Sequence, residues 1–386
     1  GGEPSALPDP VVTPAGGANL DPHFFAAGGR TLLAFSAGGP TAHDLIVRDP
    51  ETGEQAIVGP GRRPNYSDRG LLLYQADGAE GGLWAMPFDA GRLDATGPSL
   101  PVAETGVQPT LSTGGTLVYV DEPRPAPQRL ALYDRSGERL RYIGREQDRV
   151  ATPTFSPDGS RVAYRGLEQG NYDIWVQSVD NPTRLRVSSN LAFDADPLWT
   201  PGSDRGVWRG DREGSAASLT RSIAGPDAES VLHSGPGGER PAHWGPGPRL
   251  LYSISGFYAG ADRWIAQPWP DGGAVETKPL LDSRFNETLG RLSPDGRLLA
   301  YCSDESGVYE VYLRPFEGGQ PRQVSRNGGC QPRWSPSGEE LFFVAGSTLY
   351  SASFEQGELG RPIELFQHSG VSPSSPVGTT YAVGPA

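Results

Sequence analysis

A short phrase recurs along this chain about every 44 residues, and it constrains the fold more than any other feature. It reads proline, a variable residue, an aromatic or leucine, a glycine-containing turn, an apolar pair, and an aromatic. The prolines are Pro22, Pro64, Pro109, Pro153, Pro197, Pro241 and Pro332, spaced by 42, 45, 44, 44, 44 and then 91 residues. The last gap holds two units, and Gly290 stands where the missing proline belongs. An aromatic follows each anchor: Phe35, Tyr74, Tyr119, Tyr164, Trp208, Tyr252, Tyr301 and Phe343. About eight copies of a unit of 40–50 residues, each built of short strands, predict a β-propeller.

Composition agrees. Of the 386 residues, 53 are glycine and 38 proline, and they fall at turn positions between apolar runs rather than throughout, which argues against disorder. Units that share one core predict a single domain. The formal net charge of −13 offers no basic footprint for nucleic acid and disfavours an anionic membrane surface. No apolar run approaches the ~20 residues of a membrane helix. The chain begins at Gly1, so it reads as processed or excised, with no signal segment of its own. One Met and one Lys beside 32 Arg suggest a GC-rich bacterial genome.

The predicted organisation is an extended Gly/Pro/Ala-rich arm over 1–20, the propeller over 21–370, and a tail over 371–386. Four-stranded blades run over 21–58, 59–104, 105–146, 147–189, 190–234, 235–283, 284–327 and 328–370, with seven blades as the alternative count. Asp158-Gly159 and Asp295-Gly296 supply the positive φ of a tight hairpin. Either Val11–Thr13 or Thr379–Val383 is a candidate strand for closing the ring, which would remove an exposed edge.

Three repeats carry a family resemblance. "TPTFSPDGSRVAYRG…YDIWVQSVD" at 152–180 resembles the WD40-like Pro-Asp repeat of TolB and dipeptidyl-peptidase propellers. The segment 291–354, opening "RLSPDGRLLAYCSDESGVYEVYLRPFEGG", with 113–140, is similar to the extracytoplasmic propeller of bacterial transmembrane serine/threonine kinases. The resemblance covers roughly 105–370. It implies a module that senses or docks. This chain shows no kinase motif, no amino-terminal α/β domain of the TolB kind and no hydrolase sequence.

Catalytic motifs are few. There is no Gly-x-Ser-x-Gly elbow. Ser-Pro-Asp-Gly at 156–159 and 293–296 recurs, and a recurring serine reads as a turn residue rather than a nucleophile. His23, His43, His233, His243 and His368 show no zinc-helix spacing, although a propeller can gather distant histidines at its axis. Asp194 with Asp196, and Asp304 with Glu305, are the nearest approach to calcium ligands, and neither reproduces an EF-hand loop. No cofactor, metal or catalytic residue is assigned. Cys302 ends the second strand of repeat seven and Cys330 opens the first strand of repeat eight. These neighbouring places predict a disulfide, which fits an oxidising compartment and adds roughly 3 kcal/mol by closing its loop.

The residues before the anchors are Asp21, Arg63, Gln108, Thr152, Asp196, Arg240, Leu289 and Gln331. Polar side chains dominate the set. Asp21, Arg63, Gln108, Asp196, Arg240 and Gln331 are the candidate binding residues at the mouth of the central channel, the alternative being that they bond nearby loop backbone. The expected protein is all-β, non-enzymatic, and periplasmic or extracellular. It acts as scaffold, sensor or extrinsic subunit for a protein partner in a membrane-associated assembly. The alternative is a propeller lyase or hydrolase with an axial, metal-dependent site. Two or more of His23, His43, His233 and His243 within ~5 Å of one point would mark such a site.

Overall fold

The computed structural model describes residues 18–38, 43–77, 81–112, 115–121, 126–212, 215–225, 227–234, 239–246, 249–254, 263–268, 278–281, 283–371 and 379–384. Val11–Thr13 and most of the predicted arm lie outside them. The described residues form strands, turns and bends, with no helix. The chain is an all-β protein made of β-propeller blades. Its residues divide into two compact units, 1–126 with 169–171, and 127–168 with 172–386.

In the first unit, Ala18–Ala27, Arg30–Gly38, His43–Arg48 and Gln55–Pro60 pair in chain order as an antiparallel meander. Arg62–Ser67, Leu71–Gln75, Leu83–Asp89 and Leu100–Ala103 form the next sheet. Leu32, Leu45, Val47, Leu72, Met86 and Phe88 make the core between them.

The second unit repeats the design. Its meanders are Asp194–Trp199, Arg205–Arg212, Ser215–Ser222 and Ser230–Ser234; then Glu239–Gly245, Arg249–Ile254, Arg263–Pro268 and Lys278–Leu281; then Glu287–Leu292, Leu298–Ser303, Glu310–Pro315 and Arg322–Gln323. Cys330–Trp334, Glu340–Ala345, Thr348–Glu355 and Ile363–Gln367 form the last.

The reason for the apolar run in each second strand is visible here. Successive side chains of a strand point to opposite faces, and both faces of these sheets are covered. Val207 faces a core with Leu250 and Tyr252, whereas Trp208 faces one with Ile174 and Trp199. Leu251 packs with Leu299 and Tyr301, while Ala300 turns to Leu341 and Phe343. A strand buried on both sides must be apolar at every position. Seven of the eight repeat aromatics are accordingly buried, the exception being Tyr119.

Tyr119 marks where the repeat breaks. The sequence predicts a four-stranded blade over 105–146, and the structure divides it. Gly106–Leu111 and Leu117–Asp121 form a two-stranded sheet. Gln128–Tyr133 instead pairs with the first half of Arg139–Phe155, a strand of 17 residues whose second half pairs with Arg161–Glu168. Asn171–Ser178 and Arg184–Arg186 complete that sheet. Two local causes are legible. In the sequence, prolines, which have no N–H to give a ladder, stand at 123, 125 and 127. The stretch 139–152 has neither a proline nor a turn pair to stop it.

The recurring Ser-Pro-Asp-Gly is a turn, as predicted. Ser156 Oγ donates to Asp158 Oδ1 at 2.6 Å and accepts from Arg161 N at 3.0 Å, while Gly159 has φ of 73°. Ser293, Asp295 and Gly296 repeat the arrangement. The serine hydroxyls are occupied in closing hairpins.

Cys302 and Cys330 form the predicted disulfide, with Cα atoms 5.4 Å apart. Both are buried beside Leu289 and Tyr309.

Candidate functional site at the inner strands

Each repeat opens with a strand that carries its anchor position, a proline in every repeat but the one with Gly290, and seven of these strands share one distortion. Asp21, Arg63, Gln108, Thr152, Asp196, Leu289 and Gln331, each directly before an anchor position, all have φ between 51° and 60°. The ladder slips there, between Leu20 and His23, Arg62 and Asn65, Val107 and Thr110, Ala195 and Leu198, and Cys330 and Arg333 among others. This is a β-bulge. The following proline bars its predecessor from the right-handed helical region. A left-handed turn there costs a non-glycine residue roughly 1–2 kcal/mol. A device repeated at seven equivalent positions belongs to the fold. Any specific chemistry must come from what differs between blades.

The candidate residues land as follows. In the first unit, Arg63 Nε lies 3.7 Å from Asp21 Oδ1, and Gln108 is exposed, its N–H donating to Gln75 Oε1 at 3.3 Å. In the second unit, Arg240 Nε and Nη2 each lie 2.9 Å from Asp196 Oδ2. Gln331 is fully buried. Its Oε1 accepts from the Thr380 N–H at 2.9 Å and the Thr380 hydroxyl at 3.1 Å, and its carbonyl accepts from the Tyr381 hydroxyl at 2.7 Å.

Sequence reasoning missed the residues that stand with them. Arg291 and Arg333 each directly follow an anchor position, in consecutive repeats. Arg291 is 6% exposed, and its Nη1 donates to the carbonyls of Ala242 and Gly290. Arg333 Nη2 donates to Thr379 Oγ1 at 2.8 Å. The Nε of each is buried without a hydrogen-bond partner among the described residues. Burial, and then the charge of Arg333, push the Arg291 pKa down. Burial pushes Arg333 down to about 10. His243 joins them: burial first, then the charges of Arg291 and Arg333, lower it to about 3, so its imidazole is neutral at pH 7. Burial raises Tyr381. The signal was available, because the other repeats carry His, Asn, Thr, Thr, Leu and Ala where these two carry arginine.

The tail segment 379–384 lies against this cluster. The Thr152 N–H donates to the Thr379 carbonyl at 3.0 Å. No strand is assigned over 379–384, although the sequence predicts one at Thr379–Val383.

The histidines are engaged separately. His43 Nδ1 lies 3.0 Å from Asp77 Oδ2, His233 Nε2 3.1 Å from the Tyr252 hydroxyl, and His368 Nε2 2.9 Å from the Tyr133 hydroxyl. His23 packs beside Phe25. Among the described residues no three His, Cys, Asp or Glu side chains cluster as metal ligands. Of the acidic candidates, Asp194 pairs with Arg212 at 3.0 Å and Asp196 with Arg240. Asp304 accepts from Asn286.

No family model matches the chain. It is similar to the Tol-Pal system protein TolB of Alcanivorax borkumensis, with 33% identity over 100 residues, 25% of this chain and 23% of that protein. The same protein of Thioalkalivibrio sulfidiphilus is 38% identical over 88 residues, 22% of this chain and 20% of the relative. The matched stretch thus spans under a quarter of these relatives' length. The crystal structure of TolB from Acinetobacter baumannii superimposes with a TM-score of 0.49 at 13% identity, covering 95% of this chain and 82% of that one. Over the matched stretch of about 100 residues the chain resembles TolB.

Proposed function

We propose that this chain is an exported, non-enzymatic propeller that binds a protein partner through the inner-strand face of its 127–386 unit. The observation that carries the reading is the pair of buried guanidiniums, Arg291 and Arg333, with no carboxylate bonded to either among the described residues. Buried charge normally has a partner. Here the hydrogen bonds go to backbone carbonyls and to Thr379 of the tail. An acidic group of a partner entering over the tail would supply the missing charge.

Two further observations support the setting. The relatives are named as components of a Tol-Pal system, which suits a role in a multi-protein, membrane-associated assembly. The Cys302–Cys330 disulfide suits the periplasm or the cell exterior. Among the described residues no helix is long and apolar enough to cross a membrane. Within that role, scaffold, sensor or extrinsic subunit are finer readings of the same binding activity. The sensor reading draws on the sequence resemblance of 291–354, with 113–140, to kinase ectodomains.

The test is affinity capture from detergent-extracted envelopes with the whole chain, wild type against Arg333→Met. Methionine keeps the bulk and removes the charge. The expected result is a discrete partner retained by wild type and lost by the variant. The variant should match or exceed wild type in stability, because replacing buried charge by apolar bulk is often neutral or stabilising. Equal capture by both proteins would end the reading.

A second reading, an axial lyase or hydrolase, draws on neutral His243 beside Arg291 and Arg333. It predicts turnover lost in His243→Asn with partner capture intact.

A further inference from the structure

Three consecutive tail residues occupy the inner-strand site as a bound peptide would. Thr379, Thr380 and Tyr381 reach the first strands of two repeats in the 127–386 unit. They meet Arg139–Phe155 through Thr152, and Cys330–Trp334 through Gln331 and Arg333. Discrete groups rather than a ladder hold the segment, since no strand is assigned over 379–384.

Each residue is read by a different group. The Thr379 carbonyl accepts from the Thr152 N–H at 3.0 Å, and its hydroxyl accepts from Arg333 Nη2 at 2.8 Å. Thr379 is 5% exposed. Thr380 donates its N–H and its hydroxyl to Gln331 Oε1, at 2.9 and 3.1 Å, so a proline cannot make the same contact. The Tyr381 hydroxyl donates to the Gln331 carbonyl at 2.7 Å, a bond that phenylalanine lacks. Farther along, a Cβ at Gly384 would stand 3.2 Å from the Phe155 ring, so the segment lies close on that strand.

What the tail does not supply is charge. Residues 371–386 contain no Asp or Glu. The Thr379 hydroxyl stands where Arg333 would bond a carboxylate. Arg291, near enough to feel the charge of Arg333, donates to the carbonyls of Ala242 and Gly290. A carboxylate in place of that hydroxyl would turn the Arg333 contact into an ion pair, a shorter and stronger bond.

We propose that the Thr379–Tyr381 segment is a displaceable cis ligand, and that the partner segment replacing it carries an acidic residue, then threonine, then tyrosine. The inference rests on the reading that this face binds a partner, and it adds the motif and the device that guards the site. A segment joined to its own site competes at roughly millimolar effective concentration. Uncharged segments are thereby kept out. One that also pairs with Arg333 gains an interaction the tail lacks, and it shifts the equilibrium by that difference.

The experiment is fluorescence anisotropy of a labelled, end-blocked hexapeptide, Gly-Asp-Thr-Tyr-Ala-Val, titrated with the whole protein. The tail's own Gly-Thr-Thr-Tyr-Ala-Val is the comparison. Thr380→Pro with Tyr381→Phe unfastens the tail from Gln331, and the Asp peptide should bind this variant about tenfold tighter than wild type as the cis competitor is removed. In that variant the Asp peptide should bind severalfold tighter than the Thr peptide, and adding Arg333→Met should abolish the preference. Thr379→Asp in the otherwise wild-type chain improves the cis ligand, so it should weaken peptide binding and slow amide exchange at Thr380. Equal peptide affinity in wild type and the unfastened variant overturns the cis ligand. Equal affinity of the two peptides for the unfastened variant overturns the acidic motif. Both outcomes are separable from the capture experiment, which reads the partner and not the tail.

Discussion

Seven polar or apolar side chains in the left-handed region would be unremarkable as isolated outliers, but here they occupy one equivalent place. Gln108 isolates the backbone cost, because its side chain is exposed and Gln75 binds only its N–H. Gln108→Gly should leave stability unchanged or raise it by up to about 1 kcal/mol, relief of strain offsetting the extra freedom of the unfolded glycine. Gln108→Val should cost about 1–2 kcal/mol, since a β-branched residue fits that region worst. Urea midpoints of the two variants decide it. A destabilising glycine with a harmless valine would mean the turn is not strained.

At the level of elements, the sheets hold together by sharing cores, and neighbouring first strands are tied by single hydrogen bonds. Trp199 Nε1 donates to the Thr154 carbonyl at 3.2 Å, and Trp334 Nε1 to the Arg291 carbonyl at 3.3 Å. The disulfide adds a covalent tie at one such junction, across a sequence separation of 28 residues. Replacing both cysteines by alanine should lower stability by about 3 kcal/mol on the chain-entropy account. Equilibrium urea unfolding measures this. The Gln331 N–H also lies 3.2 Å from Cys302 Sγ, so the same variant should loosen Gln331 and the tail residues it holds. Faster amide exchange at Thr380 would report that. Unchanged stability would mean the neighbouring cores alone fix the junction.

For the molecule as a whole, opposed titrations shape the response to acid. His243 is lowered from 6.5 to about 3. Between those values the unfolded chain takes up a proton that the native state refuses, so stability falls as pH falls. Asp194 runs the other way. Burial outweighs Ser188 and Arg212 and raises it from 3.8 to about 6. From about pH 6 down to 3.8 the native state binds that proton more readily, and acidification adds stability. Asp158 and Asp295, lowered first by their serine partners, stabilise above 3.8 and lose that effect below it. Asp194→Asn should therefore steepen the loss of stability between pH 6 and 4, and His243→Asn should make it shallower. Urea midpoints across that range test both slopes. The reverse ordering would show that neither burial is maintained in solution.

Periodicity along the chain determined the strand-only fold, the blade unit, the Ser-Pro-Asp-Gly hairpins and the cysteine pair, because each is a local pattern or a neighbouring-repeat relation. Each repeat folds by rules its own residues carry. The Arg291–Arg333–His243 grouping under Thr379–Tyr381 arises only when segments far apart in sequence meet. Its chemistry depends on burial and on the charge next door, and neither is written in a linear spacing.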